Sequence, residues 1–398
     1  MRRALASLGV VICLALAPAP SQAQTIDALT SSAEAGDRAA QTQLGLRYLA
    51  GDGILQDYAA AARWFQQAAE AGDARAQNEL GRLLFTGLGA KTDAPAALGW
   101  FEQAAVSGVP DYIFDLASAL ESTGSADMAR VADLYARAAA ENHVEAAVSL
   151  AVLYQNGLGV DQDLQEAVRL NEIGVTAGNA RAQNNLGQLL ARGQGVEQDY
   201  TRAAELFAAA ANQGLRPAMA NLGVLYENGF GVPQNTEQAD ALYRMSGGTE
   251  VAAQKENSDY QYDPRLAAPP SDAAGLEVLN KAARADDPVA LFQVAWLLTQ
   301  MPDPAFSDWV AAYQAFEKAA ERGHGPSMAN LSLMYFKGEG APQDFVLGHM
   351  WMLMAKRAGT ATPTLDQLFS STATPEQVLT AQSRAGDMLI EQGAEIRP

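Results

Sequence analysis

AEAGDRAAQTQLGLRYLAGDGILQDYAAAARWFQQA, residues 33–68, runs without a gap into AEAGDARAQNELGRLLFTGLGAKTDAPAALGWFEQA, residues 69–104. The second stretch restates the first: Ala-Glu-Ala-Gly-Asp opens both, and Trp100 answers Trp64. Self-similarity at a fixed period of about 36 residues is the signature of stacked supersecondary units.

Working outward, Gly36, Gly72, Gly108, Gly178, Gly214 and Gly323 recur in one slot, with Asn142 and, less well, Asp286 in the same phase. Asn best replaces Gly in the left-handed conformation that ends a helix. A second series, Gly51/Gly53, Gly87/Gly89, Gly157/Gly159, Gly193/Gly195, Gly229/Gly231 and Gly338/Gly340, lies between these. Four residues after each second Gly stands Asp57, Asp93, Asp163, Asp199, Asn235 or Asp344. Glycines that stop one helix, followed by a short side-chain acceptor that caps the next, predict two antiparallel helices per unit. Asp163 with Glu166, and Asn235 with Gln238, have capping-box spacing. The first helix carries Ala-x-x-x-Leu-Gly, as in Ala76/Leu80/Gly81, Ala182/Leu186/Gly187 and Ala218/Leu222/Gly223. The second carries a large residue before paired alanines: Trp64/Ala68/Ala69, Trp100/Ala104/Ala105 and Phe207/Ala210/Ala211. Large knobs facing small holes predict interlocked helix pairs whose core forms only by stacking.

These residues resemble the Sel-1-like repeat family, a branch of the tetratricopeptide-like solenoids. Ala40/Leu44/Gly45/Tyr48/Gly51/Gly53/Ala61/Trp64/Ala68/Ala69 follows the family pattern nearly throughout, as does Leu222-Gly223-Val224-Leu225-Tyr226 with Gly229-Phe230-Gly231. The resemblance covers most of residues 33–357. It implies an all-α fold, a right-handed α-solenoid superhelix of antiparallel helix pairs, that binds partners and usually has no chemistry of its own.

The chain has 398 residues, of which 48% are hydrophobic and only 7% aromatic, so its apolar content is mostly small side chains. This is too apolar for disorder. A formal charge of -19 argues against binding a phosphate backbone, because no basic excess exists to release counterions. One Cys excludes a disulfide framework and a Cys-rich metal site. Met1-Arg2-Arg3, the apolar stretch Leu5–Leu16 and Ser21-Gln22-Ala23 read as a signal peptide over 1–23, cut after Ala23. Cys13 lies inside the apolar stretch and leaves with it, and no membrane insertion is expected after cleavage.

The expected organisation is therefore a signal peptide over 1–23, an N-terminal repeat block over 24–246, a break over 247–271, a C-terminal repeat block over 272–357, and capping helices over 358–398. Repeat three, near 105–138, lacks Gly-x-Gly and offers Ser122-Thr123-Gly124-Ser125 before Asp127. The break replaces a first helix. It reads as a surface loop or linker, or alternatively as a hinge or docking segment using Tyr260 and Tyr262. Thr374-Pro375-Glu376-Gln377 is a strong helix start and predicts a closing helix over Val378–Glu391.

Chemistry is not expected. His143, His324 and His349 have no metal-motif spacing. The Gly-x-Gly pairs lack the third Gly and the Lys of nucleotide loops. No Ser-x-x-Lys or Gly-x-Ser-x-Gly occurs. The Asp series is explained by capping rather than calcium; Gly159-Val160-Asp161-Gln162-Asp163 is its nearest approach to a calcium loop. Catalytic, cofactor and metal residues are thus read as none. The expected function is a non-catalytic periplasmic or secreted scaffold or regulator that binds an envelope protein on the concave face, where Arg47, Arg82 and Arg192 are candidate contacts. The rival readings are a peptidoglycan- or polysaccharide-binding factor and, more remotely, a hydrolase.

Overall fold

The structure is a computed structural model that describes residues 25–247 and 260–391. The signal-peptide reading of 1–23, and residues 248–259 of the break, lie outside the described residues. Twenty helices and no strand occur among the described residues. After α1 (Ile26–Glu34) come six pairs. They are α2 (Arg38–Ala50) with α3 (Tyr58–Glu70), α4 (Ala74–Thr86) with α5 (Ala94–Ala105), and α6 (Pro110–Ser122) with α7 (Met128–Ala140). Then come α8 (Val144–Asn156) with α9 (Leu164–Thr176), α10 (Ala180–Arg192) with α11 (Tyr200–Asn212), and α12 (Arg216–Asn228) with α13 (Thr236–Gly247). Beyond the break, α14 (Ala273–Arg284) precedes two further pairs, α15 (Pro288–Thr299) with α16 (Phe306–Glu321) and α17 (Gly325–Lys337) with α18 (Phe345–Arg357). The last helices are α19 (Pro363–Thr372) and α20 (Pro375–Glu391). Except for α13 with α14, across the break, and α19 with α20, consecutive helices pack on one another along the chain, giving the α-solenoid the repeat predicts.

Local signals place these boundaries. Gly51, Gly87, Gly157, Gly193, Gly229 and Gly338 end first helices in the left-handed region, and Asn142 and Asp286 take it at φ 66° and 61° in the slot where other units use Gly. Asp57, Asp93, Asp163, Asp199, Asn235 and Asp344 each accept a backbone N–H from the turn they cap. The capping box at Asp163 does not close. The Asp163 N–H donates to the Tyr154 carbonyl at 3.0 Å, and the Glu166 carboxylate pairs with Arg169 instead. Every cap in this series uses its own N–H in that way, reaching a carbonyl nine residues back on the first helix. In five units the preceding Gln joins in: Gln56, Gln162, Gln198, Gln234 and Gln343 donate to a carbonyl seven residues back, at 2.7–2.9 Å. A Gln-Asp or Gln-Asn pair thus fastens the end of one helix to the start of the next, satisfying carbonyls that helix ends leave open.

The knobs differ from expectation by one residue. A Cβ on Gly45 or Gly81 would lie 2.6–2.8 Å from the ring of Phe65 or Phe101, so those rings, and not Trp64 and Trp100, fill the glycine holes. Phe207 on Gly187 holds as predicted, and Tyr243 on Gly223 extends the series. Trp64 and Trp100 are half-buried beside the core. Between units, the second glycine of the pair does more than turn the chain. A Cβ on Gly89 or Gly159 would lie 2.2 or 2.1 Å from the carbonyl oxygen of Tyr58 or Met128, the first residue of the preceding unit's second helix. Only a residue without a side chain lets the two backbones meet there.

The array also meets itself. Leu55, in the turn before α3, belongs to the same buried cluster as Leu353, Ala381 and Leu389. The free N–H of Tyr58 at the start of α3 donates to Gln382 Oε1 of α20 at 3.1 Å, across 324 residues of sequence. α20 itself starts as predicted: Thr374 and Gln377 exchange side-chain and backbone hydrogen bonds in a capping box.

Candidate functional site: the inner face

Three pairs of successive first helices touch one another, α2 with α4, α4 with α6 and α10 with α12, and no pair of successive second helices from α3 to α13 approaches as closely. The first helices therefore line the inside of the curve. Counting six residues from each first-helix cap gives Gln43, Glu79, Asp115, Ser149, Asn185, Asn221, Gln293 and Asn330. Every member of this row can hydrogen-bond through its side chain.

Along the N-terminal block the row is linked sideways. Asn78 Nδ2 and Arg82 Nε both donate to Asp115 Oδ2 at 2.8 Å, with Glu79 3.9 Å from Arg82. Asn221 Nδ2 donates to Asn184 Oδ1 at 2.8 Å. Burial raises the Glu79 carboxyl above its ordinary range, against the pull of Arg82 and Arg75. Of the arginines singled out from sequence, Arg82 lies on this face, engaged with Asp115; Arg192 is exposed at the end of α10. Arg47 pairs with Asp52 at the turn after α2.

In the C-terminal block the same row is occupied by the protein itself. Asn330 holds both main-chain groups of Gln261: its Oδ1 accepts the Gln261 N–H at 2.9 Å, and its Nδ2 donates to the Gln261 carbonyl at 2.9 Å. Gln293 Nε2 donates to the Tyr262 hydroxyl at 2.7 Å and to the Ala267 carbonyl at 3.2 Å. Tyr260, 5% exposed, packs on Phe316 and Trp309, with its hydroxyl on Glu339 and Lys337 Nζ 5.4 Å from the ring centroid. Tyr262 sits against Phe292 and Trp296. Both tyrosines thus pack on the chain's own inner face, fastening residues 260–267 of the break to the C-terminal block. Asp263, 2% exposed, accepts both Nε and a terminal nitrogen of Arg265 and faces His324 Nε2 at 3.5 Å. The Arg265 hydrogen bonds hold its carboxyl below the usual range, and burial pushes His324 down.

The histidines do not meet. His143 and His324 cap α8 and α17, and His349 stacks on Phe369 with neither ring nitrogen hydrogen-bonded. Among the described residues no group of three or more His, Cys, Asp and Glu could hold a metal ion. Likewise no helix among them is long and apolar enough to cross a membrane. The signals sequence reasoning missed are the polar row, visible once positions are counted from each cap, and the Gln before each capping Asp.

An inner row of hydrogen-bonding side chains on a stack of helix pairs is the architecture of an interaction solenoid. The sequence profile of the Sel1 repeat matches residues 38–73, 74–108, 144–173, 180–215, 216–246 and 325–360, about half of the chain, and the chain belongs to that family. The stretches left unmatched include α6 and α7, where Gly-x-Gly is absent, and the break with the helices that follow it. Among solved structures it is similar to c5321, a protective antigen present in uropathogenic Escherichia coli strains that displays an SLR fold. Identity there is 23%, covering 94% of this chain and 90% of that one at a TM-score of 0.50. A Sel1 repeat protein from Oxalobacter formigenes is 27% identical over 56% of this chain and 91% of its own, with a TM-score of 0.51. No curated protein is similar enough to be matched to it. Sel1 repeat proteins are generally protein-interaction scaffolds, typically without catalysis of their own.

Proposed function

We propose that this protein is a non-catalytic scaffold or regulator of the periplasm or the secreted space, freed by cleavage after Ala23, that binds an extended stretch of a partner protein along the inner face of its N-terminal block. The observation that carries this reading is the seating of Gln261–Ala267 on the C-terminal block. There the polar row grips a polypeptide mainly through its main chain, and the same row continues through Asn221, Asn185, Ser149, Asp115 and Glu79. Main-chain recognition with side-chain pockets alongside is a general way to hold an extended peptide.

A photocrosslinking residue placed at Gln188 on the inner side and, separately, at Gln66 on a second helix tests it in cells of the source organism. A polypeptide adduct from position 188 alone, reduced by changing Asn185 and Asn221 to Ala, is the expected result. Adducts of equal yield from both positions would sink the proposal. Co-sedimentation with purified sacculi, lost in the Asn185/Asn221 variant, would replace it with the cell-wall-polymer reading.

A further inference from the structure

Where α20 meets the first units, the contact is incomplete and encloses a partly open cavity of about 740 Å³. Its walls are aliphatic: Ile26, Ile54 and Leu55 on one side, Leu379 and Leu389 of α20 on the other. Pockets of this size with apolar walls and a few polar groups are where small ligands bind. Among the described residues Tyr48 is the single aromatic one lining it and is itself buried, so none of them presents a ring for stacking a base or a sugar. Nothing here resembles a phosphate-binding glycine loop that opens a helix.

Charge supplies the second observation. Arg63, Lys91 and Arg357 come from three separate elements and all line this cavity. They are exposed, and none forms an ion pair among the described residues. Asp27 and Asp57 also line it, but the Asp57 carboxylate is committed to capping α3 at Ala60 N–H. Gln382 is the third observation. It is 6% exposed and lines the cavity; the Tyr58 N–H fixes its Oε1, leaving the Nε2 donor buried with no protein partner. A buried amide donor without an acceptor is costly, and a ligand oxygen would relieve it.

We propose that this seam is a binding site for a linear aliphatic amphiphile with an anionic head, its chain between the first units and α20 and its head among Arg63, Lys91 and Arg357. The site is separate from the inner face and stands whether or not that face binds a protein. Dodecanoate, titrated below its micellar concentration into the chain cut after Ala23, is expected to bind saturably at one per protein. Its affinity should be at least tenfold above that for dodecyltrimethylammonium. Changing Arg63, Lys91 and Arg357 together to Gln should abolish that preference and leave binding of neutral dodecanol intact. Because the three side chains are exposed and unpaired, the variant keeps the fold. Ser383→Trp, an exposed position on the lining of α20, should block all three ligands. No saturable binding, equal affinity for the cationic chain, a preference that survives the triple variant, or displacement by a peptide of residues 1–23 overturns the proposal.

Discussion

The two blocks of the solenoid use the same helix pair and the same polar row, yet their inner faces end up opposite. Nine residues after the cap, the N-terminal block has Leu46, Arg82, Ser118, Val152, Gln188 and Val224, and part of its face is a network of side chains bonded to one another. At the same position the C-terminal block has Trp296 and Leu333, and its face is covered by Tyr260–Ala267. The large Trp296, in contact with Tyr262, stands where the groove is filled by the chain's own segment. Aromatic surface such as that of Trp296 gains by being covered, here by Tyr262.

Three experiments press on this comparison. The largest effect concerns what the blocks share. Gly159→Ala drives a Cβ into the Met128 carbonyl in addition to the left-handed penalty, so the expected loss is roughly 3–5 kcal/mol. Gly53→Ala meets only the flexible tip of Ile26 at 3.8 Å and should cost about 1–2 kcal/mol. Urea melts of the two variants that agree within error would show that the second glycine serves the turn alone.

Acid should separate the blocks next. Burial pushes His349 down to about 3, with the Lys356 charge adding to it, whereas an unfolded His titrates near 6.5. The unfolded state therefore binds the extra proton first, and stability is lost as pH falls from 6.5 toward 3. About 2 kcal/mol should go between pH 7 and pH 5. Hydrogen exchange should find that loss in α17 to α20 and not in α2 to α5, and His349→Leu should remove most of it. Equal acid sensitivity of both blocks would break the contrast.

The smallest effect is the most specific. Asn330→Ala leaves both main-chain groups of Gln261 without their partner and should cost about 1.5 kcal/mol, releasing 260–267 to proteolysis. Asn185→Ala, at the equivalent place on the open face, should change stability by less than about 0.5 kcal/mol. Equal costs at the two positions would mean that the segment is not held through the row.

What the sequence made legible was whatever is decided within a few residues. The stops at Gly51 and its equivalents, the capping Asp series and the left-handed Asn142 are local events with strong residue preferences, and a period shows them several times over. Trp64-Phe65 and Trp100-Phe101 were harder, because adjacent large residues differ by 100° around the helix and composition does not say which one points inward. The resting place of Gly89 on Tyr58, and of Tyr260 among Trp309 and Phe316, depends on partners about 30 or 50 residues away. The polar row was present in the letters but carries no single residue type, so a search for motifs passes over it.

The contact between Gln382 and Tyr58 also sets an order in time. Each helix pair closes on near neighbours and folds quickly, while a contact spanning 324 residues must wait until all the intervening turns are in place. Chains are made from the N-terminus, and their parts fold as they appear. The unit of α2 and α3 is thus made early and finished late: Leu55 and the start of α3 stay uncovered until α20 has been synthesised.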